Sequence, residues 1–216
     1  MKSFDVDVMV VGAGPAGLAT ALALRKQGGL SVALLDRGAP GAGVGETLAP
    51  GARDLLKALG LLADFEAQGH LPAYGTAAAW GQPELATRDF LMTPFGCGWT
   101  LDRARFDGLL GSHAEALGAL RVQAGLGRVE RLADGWRVIS NDPSACEFKA
   151  RFLVDASGRA SGLARRLGAR LHFLDRQVAV LGEFALPPGA ALDQLTVVEA
   201  CAQGWAYSVR IPGDRL

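Results

Sequence analysis

This chain has little of what would mark a secreted, metal-binding or nucleic-acid-binding protein. Its 216 residues include three cysteines, Cys97, Cys146 and Cys201, widely spaced and without a CxxC pair. An odd, scattered set makes neither a disulfide framework nor a metal site, so buried or free thiols are expected. The 22 basic and 22 acidic side chains cancel, which leaves no basic footprint for nucleic acid or an anionic membrane. No apolar run reaches the roughly 20 residues of a membrane span. Met1-Lys2-Ser3 leads directly into a strand pattern without a signal-peptide arrangement, which predicts a cytoplasmic location. His70, His113 and His172 are isolated from one another and read as surface or core positions rather than catalytic ones.

Apolar residues and glycine are plentiful. Hydrophobic residues make up 50% and charged residues 20%, a globular balance, with length enough for one or two domains. The 29 glycines predict many turns and close backbone approaches. They concentrate first in Val6 to Asp36. Val6, Val8, Val10 and Val11 form a β-branched strand pattern that breaks at Gly12-Ala13-Gly14-Pro15-Ala16-Gly17. Leu18 to Lys26 is rich in helix formers, Gly28-Gly29 stops it, and Leu30 to Leu35 is a second apolar strand ending in Asp36. A GxGxxG that follows a strand, opens a helix and has an acid nineteen residues after its last glycine is a dinucleotide-binding βαβ arrangement. Gly12 permits the tight turn, Gly14 lets backbone approach a pyrophosphate, and Gly17 lets helix and strand pack closely. The helix N-terminus faces the phosphates with free N–H groups and positive dipole. Asp36 can accept hydrogen bonds from a ribose hydroxyl and would repel a 2′-phosphate there. The unit is expected to bind an ADP moiety.

Beyond Asp36-Arg37, the glycine-rich stretch Gly38 to Gly51 leaves the carboxyl end of a strand, where α/β sheets bind ligands. Ala52 to Leu59 predicts a helix with Leu55, Leu56, Leu59 and Leu62 on one face. Thr76 to Trp80 and Asp89 to Met92 read as short antiparallel strands, the start of an inserted region. A helix follows to about Leu117, with Asp102 as N-cap and Phe106, Leu109, Leu110, Ala114 and Leu117 as its apolar stripe. Leu120 to Ala124 is a strand, and Arg128 to Leu132 with Trp136 to Ser140 a hairpin. Arg151 to Asp155 is a buried-type strand closing on Ala156-Ser157-Gly158-Arg159, before a short helix from Gly162 to Leu167. Val178 to Leu186, Leu195 to Glu199 and Trp205 to Ile211 predict a second antiparallel sheet. Leu216 would begin a returning strand, and an unpaired apolar edge is an aggregation liability. The chain is therefore expected to be an N-terminal portion of a longer polypeptide, or one piece of a nicked one.

Four motifs occur in order: Val10 to Gly17, Gly43-Val44-Gly45-Glu46-Thr47-Leu48-Ala49-Pro50, Leu101-Asp102-Arg103-Ala104-Arg105-Phe106-Asp107 and Leu153 to Arg159. Together they resemble the FAD-dependent monooxygenases of the p-hydroxybenzoate hydroxylase fold, in the branch that includes tryptophan halogenases. Trp80-Gly81, Asp89-Phe90-Leu91 and Gly98 to Arg103 are most similar to flavoproteins that hydroxylate a peptidyl tryptophan during tryptophylquinone cofactor maturation. The resemblance implies an α/β fold with a Rossmann-like FAD domain of glutathione-reductase type and an inserted, mostly antiparallel substrate-domain sheet. Residues 1–72 and 101–170 would be the FAD domain, and 73–100 with 171–216 part of the substrate domain.

The resemblance also implies roles. Gly12, Gly14, Pro15, Ala16 and Gly17 would hold the FAD pyrophosphate, and Asp36 with Arg37 the adenosine end. Gly45, Glu46 and Thr47 would lie beside the isoalloxazine, Arg103 at the flavin phosphates and ribityl chain, and Val129 near the adenine. Asp155 and Gly158 would close over the cofactor. Glu46 alone could be a helix-terminal acid, Arg103 a surface charge and Asp155 a turn residue. Only the motifs give them roles. Trp80, Trp99, Trp136 and Trp205 are expected to pack in the sheets, with Trp99 and Trp205 as candidates for a substrate pocket.

The implied chemistry is hydroxylation of an electron-rich aromatic ring through a C4a-hydroperoxyflavin. The substrate could be a free molecule or a tryptophan in a partner protein, and electrons would come from NAD(P)H or a flavin reductase. No residue is assigned as acid or base. Tryptophan halogenases use a lysine after the glutamate-containing loop, whereas here residues 70 to 100 contain none, which favours hydroxylation. Trp205 to Pro212 resembles the halogenase tryptophan-rich strand only loosely. The family's third FAD motif is not found, since Gly213-Asp214 comes too early. A halogenase, a polyprenyl-type reductase and a non-catalytic assembly module are the alternatives. An NAD-dependent dehydrogenase fits poorly with the antiparallel insertion.

Overall fold

A computed structural model describes residues 2–38, 45–142, 145–190 and 192–216. The Gly43-Val44 portion of the second motif lies outside the described residues. In chain order the elements are β1 (Lys2–Val11), α1 (Pro15–Gly28), β2 (Val32–Asp36), β3 (Thr47–Leu48), α2 (Ala52–Leu59) and α3 (Leu62–Ala67). Next come β4 (Leu71–Ala73), β5 (Gly75–Ala79), β6 (Ala86–Asp89), β7 (Gly98–Thr100), α4 (Arg103–Ala116) and β8 (Leu120–Gln123). The remainder is β9 (Leu126–Leu132), β10 (Gly135–Ser140), β11 (Cys146–Asp155), α5 (Gly162–Arg166), β12 (Leu195–Cys201) and β13 (Gly204–Ser208). The chain divides into two compact units, Met1–Pro40 with Asp107–Gln177 and Gly41–Phe106 with Val178–Leu216.

The first unit is built on a six-stranded sheet of order β8-β2-β1-β11-β10-β9. β1 pairs in parallel with both β2 and β11, and β2 in parallel with β8. Val8, Met9, Val10 and Val11 are all buried, as a central parallel strand covered on both faces requires. β9 and β10 form an antiparallel hairpin that joins β11. Met9, Ala33, Leu35, Val138, Phe148 and Ala150 belong to one core cluster, and α1 buries Leu18, Ala21 and Leu22. β11 begins at Cys146, five residues before the strand the sequence pattern suggests. Its earlier half alternates buried Cys146, Phe148 and Ala150 with more exposed neighbours because it pairs with the hairpin.

The second unit has a four-stranded sheet, β13-β12-β5-β6, and a small one, β3-β7-β4. The larger sheet is mixed: β5–β6 and β12–β13 are antiparallel, but β12 joins β5 in parallel. Phe65 is fully buried at the centre of an aromatic group, edge-on to Trp99 and Phe106. Trp99, a candidate pocket residue in the sequence, is thus core, with the Arg53 guanidinium 4.9 Å from its ring. Trp80 and Trp205 are largely exposed, Trp205 with its ring stacked on Tyr207.

Four other expectations need correction. The strand read over Asp89 to Met92 lies earlier, at Ala86–Asp89, and the chain turns from Phe90 onward. Leu55 is 67% exposed and only Leu56 of α2 is buried, because a single turn of this short helix meets the core. Leu117 falls beyond α4 and is exposed. Val178 to Leu186 is not a strand. Among the described residues its pairing consists of Phe184, which exchanges backbone hydrogen bonds with Leu216, a bond from Leu186 N–H to Asp214 O and a bridge at Ala185. Val178, Val180 and Leu181 stay exposed, since an apolar run becomes a strand only where a neighbour completes its ladder. Among the described residues no helix is long and apolar enough to cross a membrane, and no cluster of potential metal ligands occurs.

Candidate cofactor-binding site

In the first unit three strand ends meet at the glycine turn. Gly12 N–H donates to Leu35 O at 2.8 Å and Ala156 N–H to Val11 O at 2.8 Å, joining the ends of β1, β2 and β11. Gly12 has φ +105°, and a Cβ there would stand 2.2 Å from Ala156 O. Both the conformation and the space therefore demand glycine. A Cβ on Gly17 would come 1.9 Å from Gly12 O, so α1 sits on the turn at a distance only glycine allows. Gly14 is different. It is extended backbone, with nothing within 4 Å of the place a Cβ would take.

That open space lies at the start of α1. Gly14 is its N-cap, no side chain caps it, and its first turn carries no acid. Pro15 at the first helical position contributes no N–H, leaving Ala16 and Gly17 to present theirs. A helix start with unspent donors and an open approach fits a pyrophosphate.

Asp36 ends β2, accepts a hydrogen bond from Gly38 N–H at 3.2 Å and lies 3.9 Å from an Arg121 Nη. A cavity of about 350 Å³ opens beside it, lined by Asp36, Gly38, Glu115, Arg121 and Gln123. Arg37 is exposed. Arg121 and Gln123 escaped the sequence reading. Their signal is the alternation in Leu120-Arg121-Val122-Gln123, which β8 places beside β2.

Asp155 braces the neighbouring turn. One carboxylate oxygen accepts the Ser157 N–H and hydroxyl, and the other accepts Ala164 N–H at 2.7 Å inside α5. Burial pushes its carboxyl up, but the hydrogen bonds from Ser157 and Ala164 outweigh this and hold it below the ordinary value. Gly158 follows on the exposed face of the turn. Val129 is in neither set of contacts; it pairs with Val138 and packs against the core cluster.

In the second unit Gly45, Glu46 and Thr47 enter β3. Gly45 has φ +74°, and a Cβ would stand 2.4 Å from Val209 Cγ1, which draws this loop onto the chain after β13. Thr47 Oγ1 is 3.2 Å from Thr196 Oγ1 of β12. Glu46 O accepts Leu101 N–H, and Glu46 Oε1 accepts a hydrogen bond from an Arg103 Nη at 2.7 Å. The second and third motifs are thus joined by a charge-assisted hydrogen bond between half-buried partners. Burial and the Glu46 charge both raise the Tyr207 phenol above its ordinary value, so β13 also faces this pair.

Arg103 is held by the start of its helix. Asp102 Oδ1 accepts Arg105 N–H, the N-cap expected from sequence, and Asp102 N–H donates to His70 Nδ1 at 3.1 Å. His70 is 8% exposed, and burial, its largest influence, holds its pKa below the ordinary histidine value. No sequence pattern signals this contact, which spans 32 residues.

Residues 5–186 match the family described as FAD binding domain. A protein of Marinomonas mediterranea named as a FAD-dependent oxidoreductase, LodB, is 33% identical over 99% of this chain. The 1H-pyrrole-2-carbonyl peptidyl-carrier-protein brominase of Pseudoalteromonas luteoviolacea is 27% identical over 99% of the chain. The chain covers 58% of LodB and 53% of the brominase, about half the length of these relatives. Among solved structures, p-nitrophenol 4-monooxygenase PnpA of Pseudomonas putida superposes with a TM-score of 0.79 at 18% identity. All of this chain and 57% of that one are covered, a likeness of fold. With most of its length matched and a glycine turn, open helix start and acid-bearing strand end to suit the ligand, the chain belongs to the FAD-binding domain family.

Proposed function

We propose that the whole protein is an FAD-dependent monooxygenase that hydroxylates an electron-rich aromatic ring. The observation that carries the cofactor half is the start of α1, uncapped and open at Gly14. FAD, when bound, supplies the redox chemistry and the activation of oxygen. The chain's residues bind and orient. Gly12, Gly14, Pro15, Ala16 and Gly17 form the pyrophosphate cradle, and Asp36 takes the ribose, with Arg37 beside it. Asp155 fixes the turn that carries Gly158. Gly45, Glu46 and Thr47 form the flavin-side loop, and Arg103 serves the phosphates and ribityl chain with a planar fork suited to anions. Residues 1–72 and 101–170 make the FAD region, and 73–100 with 171–216 contribute to the substrate region. Reducing equivalents come from NAD(P)H or a flavin reductase.

Hydroxylation is favoured over halogenation by the absence of lysine between residues 70 and 100. Lys57, the sole lysine of the second unit, is exposed on α2. Halogenation is the second reading, carried by 27% identity to the brominase along 99% of the chain. That enzyme's name describes an aromatic ring borne on a protein, which supports a protein-held substrate here. A tryptophan in a partner protein, as in tryptophylquinone maturation, is the first to test.

The experiment starts by identifying the cofactor released from the denatured full-length protein. Reduced enzyme, oxygen and a tryptophan-bearing partner are then incubated with and without chloride or bromide. One added oxygen atom whatever the halide supports the reading. A halogen in the product overturns it in favour of halogenation, and a protein that binds no FAD overturns both.

A further inference from the structure

His70 is a buried polar group in the second unit's core that the function above leaves unused. Asp102 N–H can only donate, so His70 Nδ1 is unprotonated and its proton sits on Nε2. Nε2 lies 3.0 Å from Gln68 Oε1. The Gln68 amide is oriented independently, because its Nε2 donates to Arg105 O at 3.1 Å, which leaves Oε1 as the acceptor. An Arg105 Nη in turn donates to Gln68 O at 2.9 Å. Residues 68–70 thus clamp residues 102–105 through three hydrogen bonds, braced by the internal contact between His70 and Gln68, and Arg103 lies inside the clamped segment. The imidazole is held against Phe65, centroids 4.6 Å apart, and Phe106 at 6.3 Å.

We propose that His70 is a positioning residue for Arg103, holding the first turn of α4 in register through the Asp102 N–H and releasing it on protonation. This rests on the reading that Arg103 serves the FAD phosphates. A second proton on the ring would place an N–H at Nδ1 against the Asp102 N–H, and that bond would be lost. The charged groups facing the ring are Asp102, which attracts an imidazolium, and Arg105, which repels it; α3 contributes the neutral Phe65. Burial outweighs the pair and keeps the ring neutral at physiological pH. The release therefore falls on the acid side of the ordinary histidine value of about 6.5.

The test uses the full-length protein and its H70N and H70F variants. Asparagine can offer an oxygen acceptor near the place of Nδ1 without titrating; phenylalanine fills the space with no acceptor. Amide protection of Asp102, corrected for intrinsic exchange, is read without FAD, and FAD affinity is measured between about pH 5 and pH 7.5. In wild type both should fall in acid, affinity by about tenfold. H70F should be weakened by a similar factor throughout, and H70N should recover most of that loss with a flat pH profile. Equal pH profiles in wild type and H70N overturn the proposal, as does wild-type affinity in H70F. R103Q separates the two claims. Unchanged affinity in R103Q refutes the role of Arg103 in binding FAD, whereas Asp102 protection insensitive to acid refutes the role of His70.

Discussion

Gly14→Ala separates the fold from the ligand more cleanly than any other single change. Gly14 has φ −78° and ψ −176°, which alanine adopts freely, and its added methyl would meet nothing within 4 Å. Alanine is a poorer N-cap than glycine by about 0.5 kcal/mol. It also restricts the unfolded chain, which returns about 0.4–1 kcal/mol. The two nearly cancel, so the melting temperature should move by no more than about 2 °C. The methyl points into the space assigned to the pyrophosphate. If it pushes the phosphates off two backbone N–H donors, each a hydrogen bond to a charged group of about 1.5–3 kcal/mol, the loss is about 3 kcal/mol or more. That is about a 100-fold rise in Kd. Flavin fluorescence titration gives the Kd and apoprotein melting gives the stability. Gly17→Ala is the control, because its Cβ would stand 1.9 Å from Gly12 O and the backbone must shift. It should lose both stability, by at least about 1–3 kcal/mol, and affinity. A Gly14→Ala protein that binds FAD as tightly as wild type would refute the placement of the pyrophosphate.

Other perturbations probe the second unit and the turn after β11. Phe65→Ala empties the centre of the Trp99, His70 and Phe106 group and should cost about 3–5 kcal/mol by denaturant titration; a loss under about 1 kcal/mol would contradict the packing. Asp155 has its carboxyl held below the ordinary value, so its stabilisation is present above about pH 4 and fades as pH falls through the folded-state value. Asp155→Asn should therefore be less stable at neutral pH and lose less on acidification, and parallel melting curves for the two proteins would refute this. Glu46→Gln removes a negative charge facing Tyr207, so ultraviolet titration should find that phenol ionising at lower pH than in wild type. Only Tyr74 shares the signal, and an unmoved transition would place Glu46 elsewhere.

The legible parts of this fold are those whose cause is local. Val6 to Asp36 could be read because strand, turn and helix follow one another, and Gly12 and Gly17 are each forced by a steric conflict within that stretch or with its neighbour Ala156. The bounds of α2 and the Asp102 cap of α4 were legible for the same reason. What escaped depends on distant partners. Nothing in Leu195 to Glu199 says that it joins β5 in parallel, since an alternating strand serves either direction. Val178 to Leu186 has a strand's composition, but continuous pairing depends on what the chain places beside it. His70 looked isolated because its partner is a backbone N–H, which leaves no mark in a side-chain pattern.

The N-termini of the helices give a further reason for placing an anion at α1. A helix start carries orphan N–H donors and partial positive charge, and an acid nearby is the usual answer. α2 has Asp54 in its first turn and α3 has Asp64. α4 is capped by Asp102, and α5 receives the Asp155 carboxylate at Ala164. α1 has fourteen residues, long enough to carry a substantial dipole, yet neither cap nor first-turn acid. Serine or aspartate in place of Gly14 would stabilise it by a few tenths of a kcal/mol as a cap, and aspartate by about 0.3–1 kcal/mol more through the helix dipole. Either side chain would also occupy the open space above Gly14 and consume the donors facing it. Such a local loss of stability is retained where a ligand's charge replaces the missing acid. Gly14→Asp should then raise the apoprotein's melting temperature while abolishing FAD binding. A variant that gained stability and still bound FAD would mean that the phosphates lie elsewhere.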